Sequence, residues 1–132
     1  VAEALAWARE HLPPADPSVL VHGDLLGQNI LLDPGEPFAV IDWEYAQRGD
    51  PAYDLAIVTR GARKPFQTAD GMQLLLEAYA RHGGRGVEAP HVHVHELVMQ
   101  VAQYRASLLP SRREPPNQAL ARLRNLLRRL SA

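Results

Sequence analysis

Short apolar runs broken by Pro and Gly occupy the first fifty residues, and longer stretches with helical period follow Asp50. Val1 to about His11 is Ala-rich, carries Leu5 and Trp7, and predicts a helix that Pro13, Pro14 and Pro17 stop. Three short apolar segments then predict strands: Ser18 to Val21, expected to be buried, Asn29 to Leu32, and Phe38 to Ile41. Asp33-Pro-Gly-Glu-Pro37 joins the last two as a tight hairpin turn. Asp50 is placed to cap a helix whose first residue is Pro51, a favoured pair at a helix start. Further helices are predicted from Ala69 to His82, ended by Gly83-Gly84, from about His91 to Leu109, and after Pro115-Pro116. Val94, Leu97, Val98, Val101 and Leu108 should form the apolar face of the third of these. Leu120, Leu123, Leu127 and Leu130 should form that of the last. Small hairpins followed by helices predict an α+β fold with helix dominant.

Composition narrows the picture. With 132 residues, 46% hydrophobic and 22% charged, the chain has the balance of one globular domain, able to bury roughly two-thirds of its unfolded surface. The absence of cysteine excludes disulfides, thiolate metal sites and cysteine nucleophiles. No apolar run approaches the roughly 20 residues that cross a bilayer, and no signal-peptide pattern opens the chain, so a cytoplasmic protein with no membrane partner is expected. Charge is uneven: residues 1–61 hold three basic residues against ten acidic ones, and residues 62–132 eleven against five. The basic residues are scattered, with few aromatics between them, which argues against a nucleic-acid partner.

The candidate chemistry lies in Val21-His-Gly-Asp24-Leu-Leu-Gly-Gln-Asn29-Ile-Leu-Leu32 and Val40-Ile-Asp42-Trp-Glu44. A carboxylate leaves a strand at Asp24, an amide follows at Asn29, and a second carboxylate ends the next hairpin at Asp42. The hairpin should bring Asn29 and Asp42 to neighbouring positions. Their hard oxygen atoms suit Mg²⁺, which takes few protein ligands and completes its shell with substrate phosphates. Asp24 would then be free to take a proton from a hydroxyl. Taken singly, each residue has a plainer reading: Asp24 as a turn residue, Asn29 as a turn amide, Asp42 as a strand-end cap. The spacing of all three together favours the chemical reading.

These residues resemble the aminoglycoside phosphotransferase and choline kinase superfamily, of protein-kinase-like fold. The matching motifs are His22-Gly-Asp24, Asn29-Ile-Leu, Ile41-Asp42-Trp-Glu and Gly49-Asp-Pro-Ala-Tyr-Asp54-Leu-Ala, and they cover residues 19–58. The resemblance implies that Asp24 is the catalytic base, that Asn29 and Asp42 hold Mg²⁺ and through it ATP, and that a small-molecule hydroxyl is the acceptor. It also implies that Asp54, early in its helix, hydrogen-bonds the backbone of the His22-Gly-Asp24 loop. His22 is expected to hold the loop, Trp43 to pack beneath the metal site, and Glu44 to be exposed or an outer metal-shell group. One departure stands out: Leu26 occupies the position where related kinases carry Lys or His.

A Gly-rich phosphate loop and a lysine–glutamate pair are not found, and the only lysine, Lys64, follows the catalytic loop. The expectation is a single domain over residues 1–132, the C-terminal catalytic lobe of a small-molecule kinase, inactive alone, whose partner is the N-terminal nucleotide-binding lobe absent from this chain. The basic second half predicts a neutral or anionic acceptor. Two other classes compete. One is a metal-dependent phosphohydrolase, although no downstream Gly-Asn-His occurs; the other is a non-catalytic kinase-like binding module. A serine hydrolase is disfavoured, since none of the four serines sits in a nucleophile elbow. His91, His93 and His95 invite a metal site, but Pro90 and the period beyond favour a helix start with solvated or packing histidines.

Overall fold

A computed structural model describes residues 1–13, 19–35, 38–60, 68–84, 86–111 and 114–131. Ser18, Glu36, Pro37, Lys64, Arg85, Arg112 and Arg113 lie outside the described residues. Five α-helices dominate: α1 (Ala2–Glu10), α2 (Pro51–Thr59), α3 (Gly71–Arg81), α4 (Ala89–Ser107) and α5 (Pro116–Leu130). Four short strands, β1 (Val19–Val21), β2 (Ile30–Leu31), β3 (Ala39–Val40) and β4 (Gln47–Gly49), form two antiparallel pairs, β1 with β4 and β2 with β3. Two single turns of 3-10 helix, Gly27–Asn29 and Trp43–Tyr45, lead out of the loops that follow β1 and β3. No helix among the described residues is long and apolar enough to cross a membrane.

The chain divides into two compact units, one of residues 1–12 with 93–132 and one of residues 13–92. In the first, Ala4, Leu97, Leu123 and Leu126 make a buried cluster flanked by Trp7, Val101, Leu127 and Leu130. The expected faces shift here. On α5 the buried stripe is Ala119, Leu123 and Leu126, at i, i+4 and i+7, while Leu120 sits at its edge. On α4, Val94 and Leu97 are buried, but Val98 is 49% exposed and Leu108 56%. A helix turns about 100° per residue, so Val98 lies at the edge of the stripe of Val94, Leu97 and Val101, a full 100° from Leu97, and Leu108 lies past the last helical residue.

The second unit carries the loops of interest. The sequence predicts β1 as a buried strand, and the structure corrects this: only Val21 is buried, with Val19 39% and Leu20 70% exposed. β1 has a single strand neighbour, and its Val21 end packs against α2, so alternation leaves Leu20 outward. The partner strand β4 went unanticipated; its register sets Val19 opposite Gly49, Leu20 opposite Arg48 and Val21 opposite Gln47. α2 begins as expected, with Asp50 accepting a hydrogen bond from the Ala52 N–H at 2.9 Å and Pro51 in the first turn. Ala52, Leu55 and Ala56 bury the other side of that helix. α3 ends in a Schellman motif: Gly83 takes φ +95°, its N–H donates to the Ala80 carbonyl at 3.1 Å, and the Gly84 N–H donates to Tyr79 at 2.9 Å.

Candidate active site

β1 delivers the chain into a loop with a sharp reversal at Gly23. Gly23 has φ +86°, and a Cβ there would lie 2.4 Å from the Tyr45 carbonyl oxygen, so a larger residue is excluded by both conformation and space. Asp54, in the first turn of α2, straps this reversal. Its Oδ2 accepts from the His22 N–H at 2.6 Å and its Oδ1 from the Gly23 N–H at 2.9 Å. Two adjacent backbone donors on one carboxylate are charge-assisted bonds, each worth about 1.5–3 kcal/mol. Asp54→Ala leaves both donors without this acceptor, and thermal denaturation should show a loss of about 3 kcal/mol, a Tm drop of roughly 10 °C. Asp54→Asn keeps one acceptor oxygen and should lose about half as much. An unchanged Tm in Asp54→Ala would remove the carboxylate from its strapping role.

His22 is 3% exposed and ties the loop to the end of β3. The Asp24 N–H donates to His22 Nδ1 at 3.2 Å, so that nitrogen carries the lone pair. Nε2 must therefore bear the hydrogen, and it lies 2.8 Å from the Ile41 carbonyl oxygen, to which it donates. The Trp43 ring stands 4.7 Å from the imidazole, tilted by 58°, and its Nε1–H donates to the Val40 carbonyl at 2.8 Å. Trp43 thus packs on His22, with 48% of its surface exposed.

Asn29 is 6% exposed, and among the described residues its side chain donates twice through Nδ2: to the Asp24 carbonyl at 2.9 Å and to Asp24 Oδ2 at 3.1 Å. The amide therefore orients the Asp24 carboxylate and leaves its own oxygen as the atom for other work. Ile30 pairs with Val40, and the Ile41 N–H donates to the Asn29 carbonyl at 2.9 Å, so Asp42 follows immediately after the residue opposite Asn29. Asp42 is the one non-glycine residue among those described with positive φ, at φ 65° and ψ 60°. Aspartate tolerates this left-handed conformation better than most residues. Asp42 stands at the N-cap position of the turn Trp43–Tyr45, yet its side chain makes no capping hydrogen bond. The amide oxygen of Asn29 and the carboxylate of Asp42 are hard donors of the kind Mg²⁺ takes in ones and twos beside phosphate.

Tyr45 closes the turn that begins at Trp43. Its phenol is pushed above its ordinary value, first by the Glu44 charge, then by a hydrogen bond to Glu44 and by desolvation, and finally by the charges of Asp24 and Asp42. One hydroxyl thus feels all three carboxylates. A cavity of ≈ 580 Å³ opens beside Asp24, lined by Leu26 and Tyr45 and by Tyr53, Ile57 and Arg60 of the α2 segment. Tyr53, Ile57 and Arg60 are spaced i, i+4 and i+7, so one helical face supplies this wall. The sequence assigned no role to Tyr45 or Arg60, nor to Tyr53, although Tyr53 lies within the motif Gly49-Asp-Pro-Ala-Tyr-Asp54-Leu-Ala. The signal was the i, i+4, i+7 spacing, on a flank of α2 beside the face of Ala52, Leu55 and Ala56.

The histidine run starts α4, as the sequence predicts, and its side chains part. His91 Nδ1 accepts from the Glu88 N–H at 3.2 Å, while His93 Nδ1 meets Glu96 Oε2 at 2.8 Å. Among the described residues, no three His, Asp or Glu side chains gather into a metal-binding group.

A carboxylate in the loop after β1, an amide five residues on before β2 and a second carboxylate after β3, set among helices, define a kinase-like phosphotransferase fold. The whole chain superposes on aminoglycoside phosphotransferase APH(4)-Ia, in the apo form of a thermostable mutant, with a TM-score of 0.62, 25% identity and 45% of that chain covered. It is 51% identical to homoserine kinase of Neisseria meningitidis over 41 residues, which are 31% of this chain and 13% of that protein. It is 41% identical to acyl-CoA dehydrogenase family member 11 of Gallus gallus over 61 residues, 44% of this chain and 8% of that protein. The chain thus spans less than half the length of each of these proteins. Residues 1–93 match the phosphotransferase enzyme family, and the chain belongs to it.

Proposed function

We propose that this chain supplies the catalytic base and the magnesium-holding side chains of an ATP-dependent phosphotransferase acting on a hydroxyl of a small molecule. The observation that carries the reading is the Asn29 amide, whose Nδ2 donates to Asp24 Oδ2 at 3.1 Å beside the cavity. One side chain thereby couples the proposed base to a proposed metal ligand. In this reading Asp24 accepts the hydroxyl proton as the hydroxyl oxygen bonds to the γ-phosphorus and the bond to the ADP oxygen breaks. The products are a phosphate ester, ADP and one proton. Asn29 and Asp42 would hold Mg²⁺, which when bound offsets the negative charge of the phosphates. The strap from Asp54 and the bridge through His22 fix the loop, so that Asp24 meets its substrate without reorganising. We assign nucleotide contacts beyond the phosphates to an N-terminal lobe of the same protein, and residues 1–132 to its catalytic lobe.

The acceptor is neutral or anionic in this reading. Residues 62–132 hold eleven basic side chains against five acidic ones, and a polycation needs a paired carboxylate for each desolvated ammonium group. The test is ATP-dependent phosphorylation by the full-length protein across hydroxy acids, sugars, amino alcohols and aminoglycosides. Transfer to hydroxy acids or sugars is expected. Efficient transfer to aminoglycosides with little to the rest would overturn the charge argument, and transfer to no acceptor would overturn the reading itself.

A further inference from the structure

The cavity beside Asp24 has an uneven charge that the phosphotransfer reading does not use. Asp24 and Arg60 both line it, together with Tyr45, Tyr53, Leu26 and Ile57. A volume of ≈ 580 Å³ lies within the range of small-ligand sites, about 300–1,000 Å³, and apolar or aromatic walls with a few polar groups are their usual make-up. If Asp24 is the base, the reacting hydroxyl must come within hydrogen-bond reach of it, so the rest of the acceptor extends along the aromatic wall towards Arg60.

We propose that Arg60 sets acceptor specificity by pairing with a carboxylate on the substrate, so that the natural acceptor is a hydroxycarboxylic acid. This rests on the phosphotransfer reading of Asp24. The guanidinium is planar, permanently charged and forked to match a carboxylate through two parallel N–H donors. With five donors in all, it can keep a contact within the protein and still present an edge to the cavity. Its place as the C-cap residue of α2 matters too. Arg60 follows Tyr53 and Ile57 on one face of the helix whose first turn carries Asp54, the residue that straps the catalytic loop. The anion site and the base are therefore held by one rigid element, which fixes the distance between the substrate's two ends. An ammonium acceptor would meet like charge at Arg60.

Three four-carbon probes differ in one terminal group: 4-hydroxybutyrate, 1,4-butanediol and 4-amino-1-butanol. Calorimetry with the full-length protein should show saturable binding of 4-hydroxybutyrate, weakened about 10- to 100-fold in Arg60→Gln and in part restored in Arg60→Lys. The amino alcohol should bind more weakly than the acid. In turnover with ATP, the ratio of kcat/KM for the acid over that for the diol should fall by the same factor in Arg60→Gln. Circular dichroism of the variants separates these losses from misfolding, and the partial rescue by lysine is a second safeguard. Acid binding that is absent, or the same in Arg60→Gln, overturns the proposal, as does tighter binding of the amino alcohol. Arg60-dependent acid binding without phosphoryl transfer to any probe sustains the anion site and counts against the phosphotransfer reading. Transfer to the diol with an acid-to-diol ratio unmoved by Arg60→Gln does the reverse.

Discussion

In the full-length protein, Asp42→Ala is expected to abolish phosphoryl transfer, with a loss of about 10³-fold or more in kcat, if Asp42 holds the metal ion as proposed, because a metal ion at a transferring phosphoryl group supplies several kcal/mol. Two effects of the substitution must be separated. Asp42 sits at φ 65°, where alanine is strained by about 1 kcal/mol or more, so part of any loss could come from a displaced turn. Asp42→Asn is the control, since asparagine tolerates the left-handed conformation and keeps the shape while losing the charge. Both variants should lose activity, with thermal stability reduced in Asp42→Ala and nearly retained in Asp42→Asn. Titrating Mn²⁺ in the presence of ATP, followed by its paramagnetic signal, provides a readout independent of turnover. Weaker Mn²⁺ binding in both variants is expected, and full turnover in Asp42→Asn would end the assignment of this carboxylate to the metal.

The elements legible in the sequence were those whose residues declare their own geometry. Asp50-Pro51 announces a helix start through a side-chain acceptor and a fixed φ, and the structure places α2 there. Gly83-Gly84 announces a helix end because only glycine takes φ +95° freely, and α3 stops at Arg81. β4 was hidden because Gln47-Arg48-Gly49 has no apolar residue, and what makes it a strand is backbone pairing with β1, which no local pattern encodes. The buried stripe of α5 was misjudged in the same way. Leucines drew attention to Leu120, while the close packing position is taken by Ala119, whose small side chain carries little hydrophobic signal.

The site divides along a similar line. Asp24, Asn29 and Asp42 could be singled out by their spacing and Asp54 by the family resemblance, and the structure brings Asn29 onto Asp24 and Asp54 onto the backbone of His22 and Gly23. The cavity could not be read, because Tyr45, Tyr53 and Arg60 come from a turn and a helix face that meet Asp24 only after folding. Leu26, noted for standing where a cationic residue was expected, turns out to line that cavity. The left-handed φ of Asp42 was likewise invisible, since aspartate is ordinary in extended backbone and only the turn at Trp43–Tyr45 demands it.

Asp24→Asn is expected to lower kcat by about 10²–10⁴ while leaving nucleotide affinity and thermal stability close to those of the parent. The size follows from the role: asparagine is isosteric, but its amide cannot take up the proton released by the hydroxyl. Structure should survive, because the Asn29 Nδ2 bond to Asp24 Oδ2 at 3.1 Å needs only an acceptor oxygen, which an asparagine carbonyl supplies. The second Asn29 bond, at 2.9 Å to the Asp24 backbone carbonyl, and the Asp24 N–H bond to His22 Nδ1 do not involve the side chain at all. The loop therefore keeps its anchors while the carboxylate alone is lost. Single-turnover kinetics with ATP bound should place the whole defect in the chemical step. A large fall in ATP affinity with kcat unchanged would assign Asp24 to binding and leave the reaction without this base.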